Sequence, residues 1–383
     1  MGVRTKRRLA WLVVLGFVLT AVFPATAFGA TVDVQAESCV LMDADSGKVL
    51  YAKNPHKRLP PASMTKMMTM ILAMEDLYEG KVQLKDKVIA SEEAWKLGGS
   101  QIYLEPGEEM TYEDLLIAIA VGSANDACVA VAEHLDGSHE EFVARMNAKA
   151  KQLGLKDTHF VNCYGLPAEG HYSSAYDMAV MGRYALRYPK LLEYASIKEY
   201  DLRQGEFKLY NTNKLLWFYR GADGFKTGWT NEAKFCLTST AKRDGLRLVC
   251  SVFASPEKGG HFRDSMKLFN YGFAKYAYRS FFAPGSQCGV VRVGKGAEKQ
   301  VEAVAADAVG VTCLKGQEKN ITQVKKLAGY VDAPVKKGDE LGEITLFNDG
   351  KPVKKVKLVA YRDIERGGLI SEIGKALSKI FLI

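Results

Sequence analysis

The sequence is poor in the residues that mark metal and redox proteins. Its 383 residues include six histidines and seven cysteines. No Cys-x-x-Cys and no His-Glu-x-x-His occurs, which argues against a zinc site, a thioredoxin-type motif or a zincin helix. The cysteines (39, 128, 163, 236, 250, 288 and 313) are odd in number and scattered, and several lie in apolar segments as buried free thiols do. Neither a metal nor a cofactor is expected. With 11 prolines, 35 glycines and 48% hydrophobic residues, the chain is not collagen-like, low-complexity or disordered as a whole. The apolar stretch near the amino terminus, Leu9–Phe23, is too short to span a bilayer, which takes roughly 20 residues.

A formal charge of +8 suggests an anionic partner until it is located. Arg4, Lys6, Arg7 and Arg8 carry half of it, and no acid accompanies them. A basic start, a short apolar core and small residues at Ala25, Ala27, Gly29 and Ala30 predict a secretory signal peptide over 1–29. Nucleic acid is therefore not an expected partner. At the other end, residues 369–383 place Leu369, Ile370, Ile373, Ala376, Leu377, Ile380 and Phe381 on one helical arc of about 140°. Such a helix suits a membrane surface. It predicts an anchor over 365–383 on the outer face of the cytoplasmic membrane, and hence an exported, extracytoplasmic protein attached peripherally.

Between the ends, two architectures alternate. Residues 30–280 begin with a hairpin around Asp43–Gly47, continue through mostly helical stretches, and return to strands at Gly224–Lys226, Lys234–Thr240 and Leu246–Ala254 before a closing helix, His261–Tyr276. Strands from both ends of a segment with helices between them predict an α/β domain, an antiparallel sheet flanked by helices. After Pro284-Gly285 short alternating runs predict a small all-β domain over 281–364, with a hairpin turn at Asn348-Asp349-Gly350.

Three short motifs carry the chemistry. Ser63-Met64-Thr65-Lys66 is a Ser-x-x-Lys that follows Pro60-Pro61 and opens an apolar helix. Ser239–Lys242 and Ser255–Lys258 share the pattern but lie on a strand and a loop. At a helix start the i, i+3 spacing puts both side chains on one face. Ser123-Ala124-Asn125 is the one Ser-x-Asn, and Lys226-Thr227-Gly228 the one Lys-[Ser/Thr]-Gly, expected at a strand end. Each has a bland reading: a salt-bridged lysine, a Ser123 helix cap, an ordinary strand. Their ordered co-occurrence does not.

Together the motifs resemble the signature of penicillin-recognising serine enzymes. Residues 98–135 and 153–179 further resemble the low-molecular-mass penicillin-binding proteins, the serine-type D-alanyl-D-alanine carboxypeptidases. The resemblance implies a β-lactamase-like fold and a peptidoglycan stem peptide ending in D-Ala-D-Ala as substrate, with β-lactams as acylating inhibitors. It implies Ser63 as nucleophile, Lys66 as base and Ser123 as proton relay. Asn125, Lys226, Thr227 and Gly228 would bind substrate, with Trp229 completing an oxyanion hole beside Ser63. Lys66 acts as base only when neutral, and burial near Lys226 favours that form. Trp229 and Thr212 depart from relatives that carry His and Arg there. Asp126, Arg263 and a His171–Asp177 pair are weaker candidates. Two other readings are a β-lactamase, against which no Glu-x-x-x-Asn lies in 126–225, and a non-catalytic wall-binding module, against which Ser63, Lys66 and Lys226 are intact.

Overall fold

The computed structural model describes residues 32–368. The expected signal peptide, and the helix expected after Gly367-Gly368, lie outside the described residues. Strands β1 (Ser38–Asp43) and β2 (Val49–Lys53) form the expected first hairpin. Its turn closes because the Asp43 carboxylate accepts the Ser46 N–H at 3.0 Å and Gly47 takes φ +76°.

The helical stretch follows. Helix α1 (Lys66–Tyr78) is buried almost throughout, and its sequence KMMTMILAM is apolar on every side, as an interior helix must be. Helix α2 (Asn125–Asp136) ends at Gly137, φ +80°. Helix α3 (His139–Gln152) is capped by Ser138, whose hydroxyl accepts the Glu141 N–H. Arg145 of α3 ties the ends of α1 and α2 by pairing with Asp76 at 2.5 Å and Asp136 at 2.6 Å. Helix α4 (Ala175–Ala185) begins at a Ser174 cap.

Strands β3 (Ala222–Thr230), β4 (Lys234–Arg243) and β5 (Leu246–Ser255) then join the first hairpin. The antiparallel sheet has the order β2-β1-β5-β4-β3. Central β5 reads as a continuous apolar run because both faces are covered. Gly182 of α4 sits against Val249, and Gly272 of helix α5 (Gly260–Lys275) against Leu248. Adjacent strand residues point to opposite faces, so α4 and α5 sandwich the sheet. The expected α/β arrangement is present, and β3 is the edge strand.

Between Tyr276 and Ala360 the chain is mostly strand: β6 (Tyr276–Phe282), β7 (Gln287–Gly294), β8 (Gln300–Ala305), β9 (Val309–Leu314), β10 (Ile321–Leu327), β11 (Tyr330–Asp332), β12 (Glu340–Asn348) and β13 (Lys351–Ala360). Six form a sheet in the order β10-β12-β13-β8-β7-β11, and β6 pairs with β9. Their core is separate from that of the helical part and includes Val291, Ile344, Leu346 and Leu358. The Asn348-Asp349-Gly350 turn is where the sequence places it, with φ +48° at Asp349 and +76° at Gly350. Ordered contacts run past Asp363: Ile364 is buried and exchanges backbone hydrogen bonds with Val335, and the Gly367 N–H donates to the Lys295 carbonyl.

Candidate active site

Ser63 lies in a tight 3-10 turn, Ala62–Thr65, that runs directly into α1 at Lys66. At three residues per turn, positions i and i+3 eclipse. The Lys66 Nζ consequently sits 3.0 Å from Ser63 Oγ. Two further contacts hold the amine: the Asn125 Oδ1 at 2.6 Å and the Tyr164 carbonyl at 2.5 Å. Lys66 is fully buried, and burial pushes its pKa down from the ordinary lysine value. A neutral amine has two N–H donors and one lone pair. The two short contacts go to groups that can only accept, so they take the two N–H donors. The lone pair is left to accept the Ser63 O–H. A hydroxyl within hydrogen-bond reach of a neutral amine meets the geometric requirement for a nucleophile with its base.

The loop supplying the Tyr164 carbonyl is pinned from several sides. Cys163 accepts from the Thr69 hydroxyl at 2.6 Å, and Gly165 donates to Asn162 Oδ1 at 2.6 Å. Gly165 has φ +91°, and a Cβ there would lie 2.0 Å from the Ala62 carbonyl. His171 steadies the same junction: its Nδ1 accepts the Val161 N–H at 3.0 Å, which assigns the proton to Nε2, 2.8 Å from the Thr65 hydroxyl. Burial lowers the His171 pKa to about 4, with His159 adding to it, so the ring is neutral near pH 7. The His171–Asp177 pairing considered from sequence does not form. The Asp177 carboxylate instead accepts from Asp157 N–H and the Thr158 hydroxyl, because Asp177 sits in the first turn of α4 facing that loop.

Ser123 does not cap α2. It adopts a left-handed conformation, φ +63°, at the end of a wide turn over Ala118–Gly122, and Ala124 occupies the cap position. A non-glycine residue there is strained, and such residues cluster where function requires them. Asn125 is buried with both ends of its amide engaged, the oxygen on Lys66 and the nitrogen on the Gly98 carbonyl at 2.7 Å. The sequence leads one to expect that amide to face substrate; in the fold its partners are Lys66 and the Gly98 carbonyl.

Lys226-Thr227-Gly228 lies inside β3, not at its end, because pairing with β4 continues to Thr230. Lys226 is fully buried and its Nζ donates to the Thr227 carbonyl at 3.2 Å. Burial, and then the charge of Lys66, lower its pKa to about 7. The Thr227 hydroxyl donates to Thr212 Oγ1 at 2.7 Å. Gly228 passes so close to the Ser63 turn that a Cβ would lie 2.7 Å from the Pro61 carbonyl and 3.1 Å from the Ser63 nitrogen.

A cavity of about 540 Å³ gathers these groups, with Ser63, Ser123, Thr212, Thr227, Gly228 and Trp229 in its wall and Lys66 and Lys226 buried behind it. One side is aromatic, a feature no motif announces. Exposed Trp229 stands 6.1 Å from Phe235, which stacks on His261 at 5.5 Å. Arg263 instead pairs with Glu257 at 2.6 Å, and Asp126 is a buried acceptor for the N–H groups of Ile102 and Leu104. The Glu93, His139 and Glu140 side chains lie together, but His139 Nε2 accepts the Cys163 N–H, which leaves its Nδ1 protonated and facing Glu93. That imidazole has no free lone pair for a metal. All seven cysteines are buried free thiols.

Comparison with known proteins agrees with this geometry. Residues 24–257 match the D-alanyl-D-alanine carboxypeptidase family and residues 276–366 match the penicillin-binding protein 5 C-terminal domain. The chain is 43% identical to D-alanyl-D-alanine carboxypeptidase DacF of Bacillus subtilis, over 90% of this chain and 89% of that one. Penicillin-binding protein 5 from Haemophilus influenzae superposes with a TM-score of 0.68 at 33% identity, covering 87% of this chain and 98% of that one. Penicillin-binding protein D2 from Listeria monocytogenes, solved in its ampicillin-bound form, aligns with a TM-score of 0.59 at 31% identity, covering 63% of this chain and 99% of that one. A serine beside a buried lysine, an edge strand against that serine, and matches along both parts of the chain lead to one conclusion: this chain belongs to the D-alanyl-D-alanine carboxypeptidase family of serine hydrolases.

Proposed function

We propose that the protein removes the terminal D-alanine from peptidoglycan stem peptides through an acyl-enzyme on Ser63. The observation that carries this reading is the buried Lys66 amine, 3.0 Å from the Ser63 hydroxyl with both its donors engaged elsewhere. Ser63 Oγ attacks the carbonyl of the penultimate D-alanine and its proton passes to Lys66. The developing oxyanion is met by the N–H groups of Ser63 and Trp229, in the low-dielectric setting where such donors count most. The C–N bond then breaks, and the departing amine takes a proton through Ser123. Water cleaves the ester, which returns the proton to Ser63. The terminal carboxylate is held by the Thr227 hydroxyl with Lys226 behind it. β-Lactams acylate the same hydroxyl. Ser63→Ala is expected to abolish D-alanine release from a diacetylated Lys-D-Ala-D-Ala tripeptide and labelling by a fluorescent penicillin, a loss of about 10³-fold or more. Labelling at the wild-type rate would remove Ser63 from this role.

The lysines give the reaction a pH signature. Burial and the charge of Lys66 pull the Lys226 pKa down to about 7, and on losing its proton Lys226 sheds the charge that attracts the substrate carboxylate. Part of that lowering comes from a charged Lys66, so with Lys66 neutral, as a base must be, Lys226 keeps its proton to higher pH; the expected kcat/KM rises as Lys66 loses its proton and falls as Lys226 does. A bound carboxylate raises the Lys226 pKa, so kcat should hold to higher pH. A kcat/KM with no falling alkaline limb would contradict the assignment.

The amphipathic pattern of 369–383 supports a peripheral attachment to the outer face of the cytoplasmic membrane. No helix among the described residues is long and apolar enough to cross a bilayer. Because ordered contacts extend to Gly367, the informative truncation is after Gly368. It is expected to move the protein from the membrane to the soluble fraction with tripeptide hydrolysis intact, and unchanged fractionation would refute the anchor.

A further inference from the structure

A second cavity, of about 520 Å³, lies beside the catalytic one and is lined by Trp95, Lys96, Leu97, Gln101, Tyr103 and Glu105. Its two rings face solvent, Trp95 at 51% exposure and Tyr103 at 66%. Leaving two large aromatic surfaces in water forgoes the burial that usually fixes such residues.

The fold invests in that exposure. Ile102 and Leu104 are buried, and the fully buried carboxylate of Asp126 accepts both their N–H groups, at 3.0 and 3.1 Å. Arg203 donates to the Ile102 carbonyl at 2.9 Å and grips Glu108 through its Nε at 2.8 Å. Between these clamps Tyr103 has φ +58°, a conformation rare for an aromatic residue. The ring is thus presented outward by a rigid support.

One loop, residues 97–101, contributes to both the groove and the catalytic cleft. Ser100 lines the catalytic cavity and the Gly98 carbonyl holds Asn125, while Leu97 and Gln101 line the groove, joined by a hydrogen bond from the Gln101 amide to the Leu97 carbonyl. The stem peptide hangs from a chain of amino sugars, so a surface built on the same loop as the wall of the peptide cleft is where that chain can lie. Pyranose rings offer C–H faces that stack on aromatic rings, and their hydroxyl and acetamido groups need polar partners such as Lys96 and Glu105.

We propose that the groove of Trp95 and Tyr103 is a glycan subsite, which binds the amino-sugar chain bearing the stem peptide that Ser63 hydrolyses. The inference rests on the carboxypeptidase reading above for its substrate and adds a second point of contact. Two stacking contacts are expected to raise kcat/KM by about tenfold for a disaccharide-linked pentapeptide over the same pentapeptide without sugar.

The test compares those two substrates with the intact protein and with Trp95→Ala and Tyr103→Ala. The expected result is that each substitution removes most of the disaccharide advantage and leaves hydrolysis of the free pentapeptide unchanged. Equal rates on both substrates in the unsubstituted protein, or an advantage that survives both substitutions, would overturn the proposal. A titration of peptide-free glycan chains, followed by tryptophan fluorescence, reads the groove without catalysis. Binding that is lost in Trp95→Ala and Tyr103→Ala supports the subsite, and no binding by the unsubstituted protein overturns it. Failure of the free pentapeptide to react while glycan still binds would instead count against the carboxypeptidase reading alone.

Discussion

The burial of one lysine organises this active site. A charged amine withdrawn from water without a carboxylate at hydrogen-bond distance costs several kcal/mol. The hydrogen-bond partners of Lys66 are uncharged: an amide oxygen, a main-chain carbonyl and a hydroxyl. Neutrality would relieve the cost and at the same time give the amine a lone pair able to accept a proton. Each neighbouring feature fixes one of those contacts. The 3-10 turn aligns Ser63, α2 supplies Asn125, and the loop at Tyr164 is held by Thr69 and Asn162, with His171 bracing Val161 against Thr65. The glycines at 165 and 228 are required because backbone must pass where a side chain would collide.

How much of this was legible follows from what each residue contributes. Ser63, Lys66, Ser123, Lys226 and Thr227 carry their chemistry in side chains at spacings the sequence displays, and the structure gathers them around one cavity or just behind it. Tyr164 contributes a backbone carbonyl, which no side-chain type announces. The inward turn of the Asn125 amide depends on Gly98 and Lys66, far from it in sequence. The wall formed by Phe235 and His261 joins a strand to a helix start, and only the sheet register brings them together.

The fold shows the same division. Turns with strong local chemistry, Asp43–Gly47 and Asn348–Gly350, stand where the sequence puts them. Strands β10 and β11 gave no alternating signal because edge strands exposed on most positions need none. Strand β3 extends beyond its sequence signal, since Gly228 has weak strand preference and is held by pairing with β4. The edge position of β3 is itself functional: it leaves a main-chain face beside Ser63 on which an extended peptide can lie.

The most direct measurement is the ionisation of Lys66 itself. The protein carrying isotope-labelled lysines can be titrated by NMR, with the Lys66 signal assigned from its loss in Lys66→Ala. The result expected is a Lys66 resonance that titrates well below the ordinary lysine value of about 10.4, so that the neutral form is well populated at working pH. A Lys66 that stays protonated to that value in fully active protein would contradict the account, because the amine could not then accept the Ser63 proton.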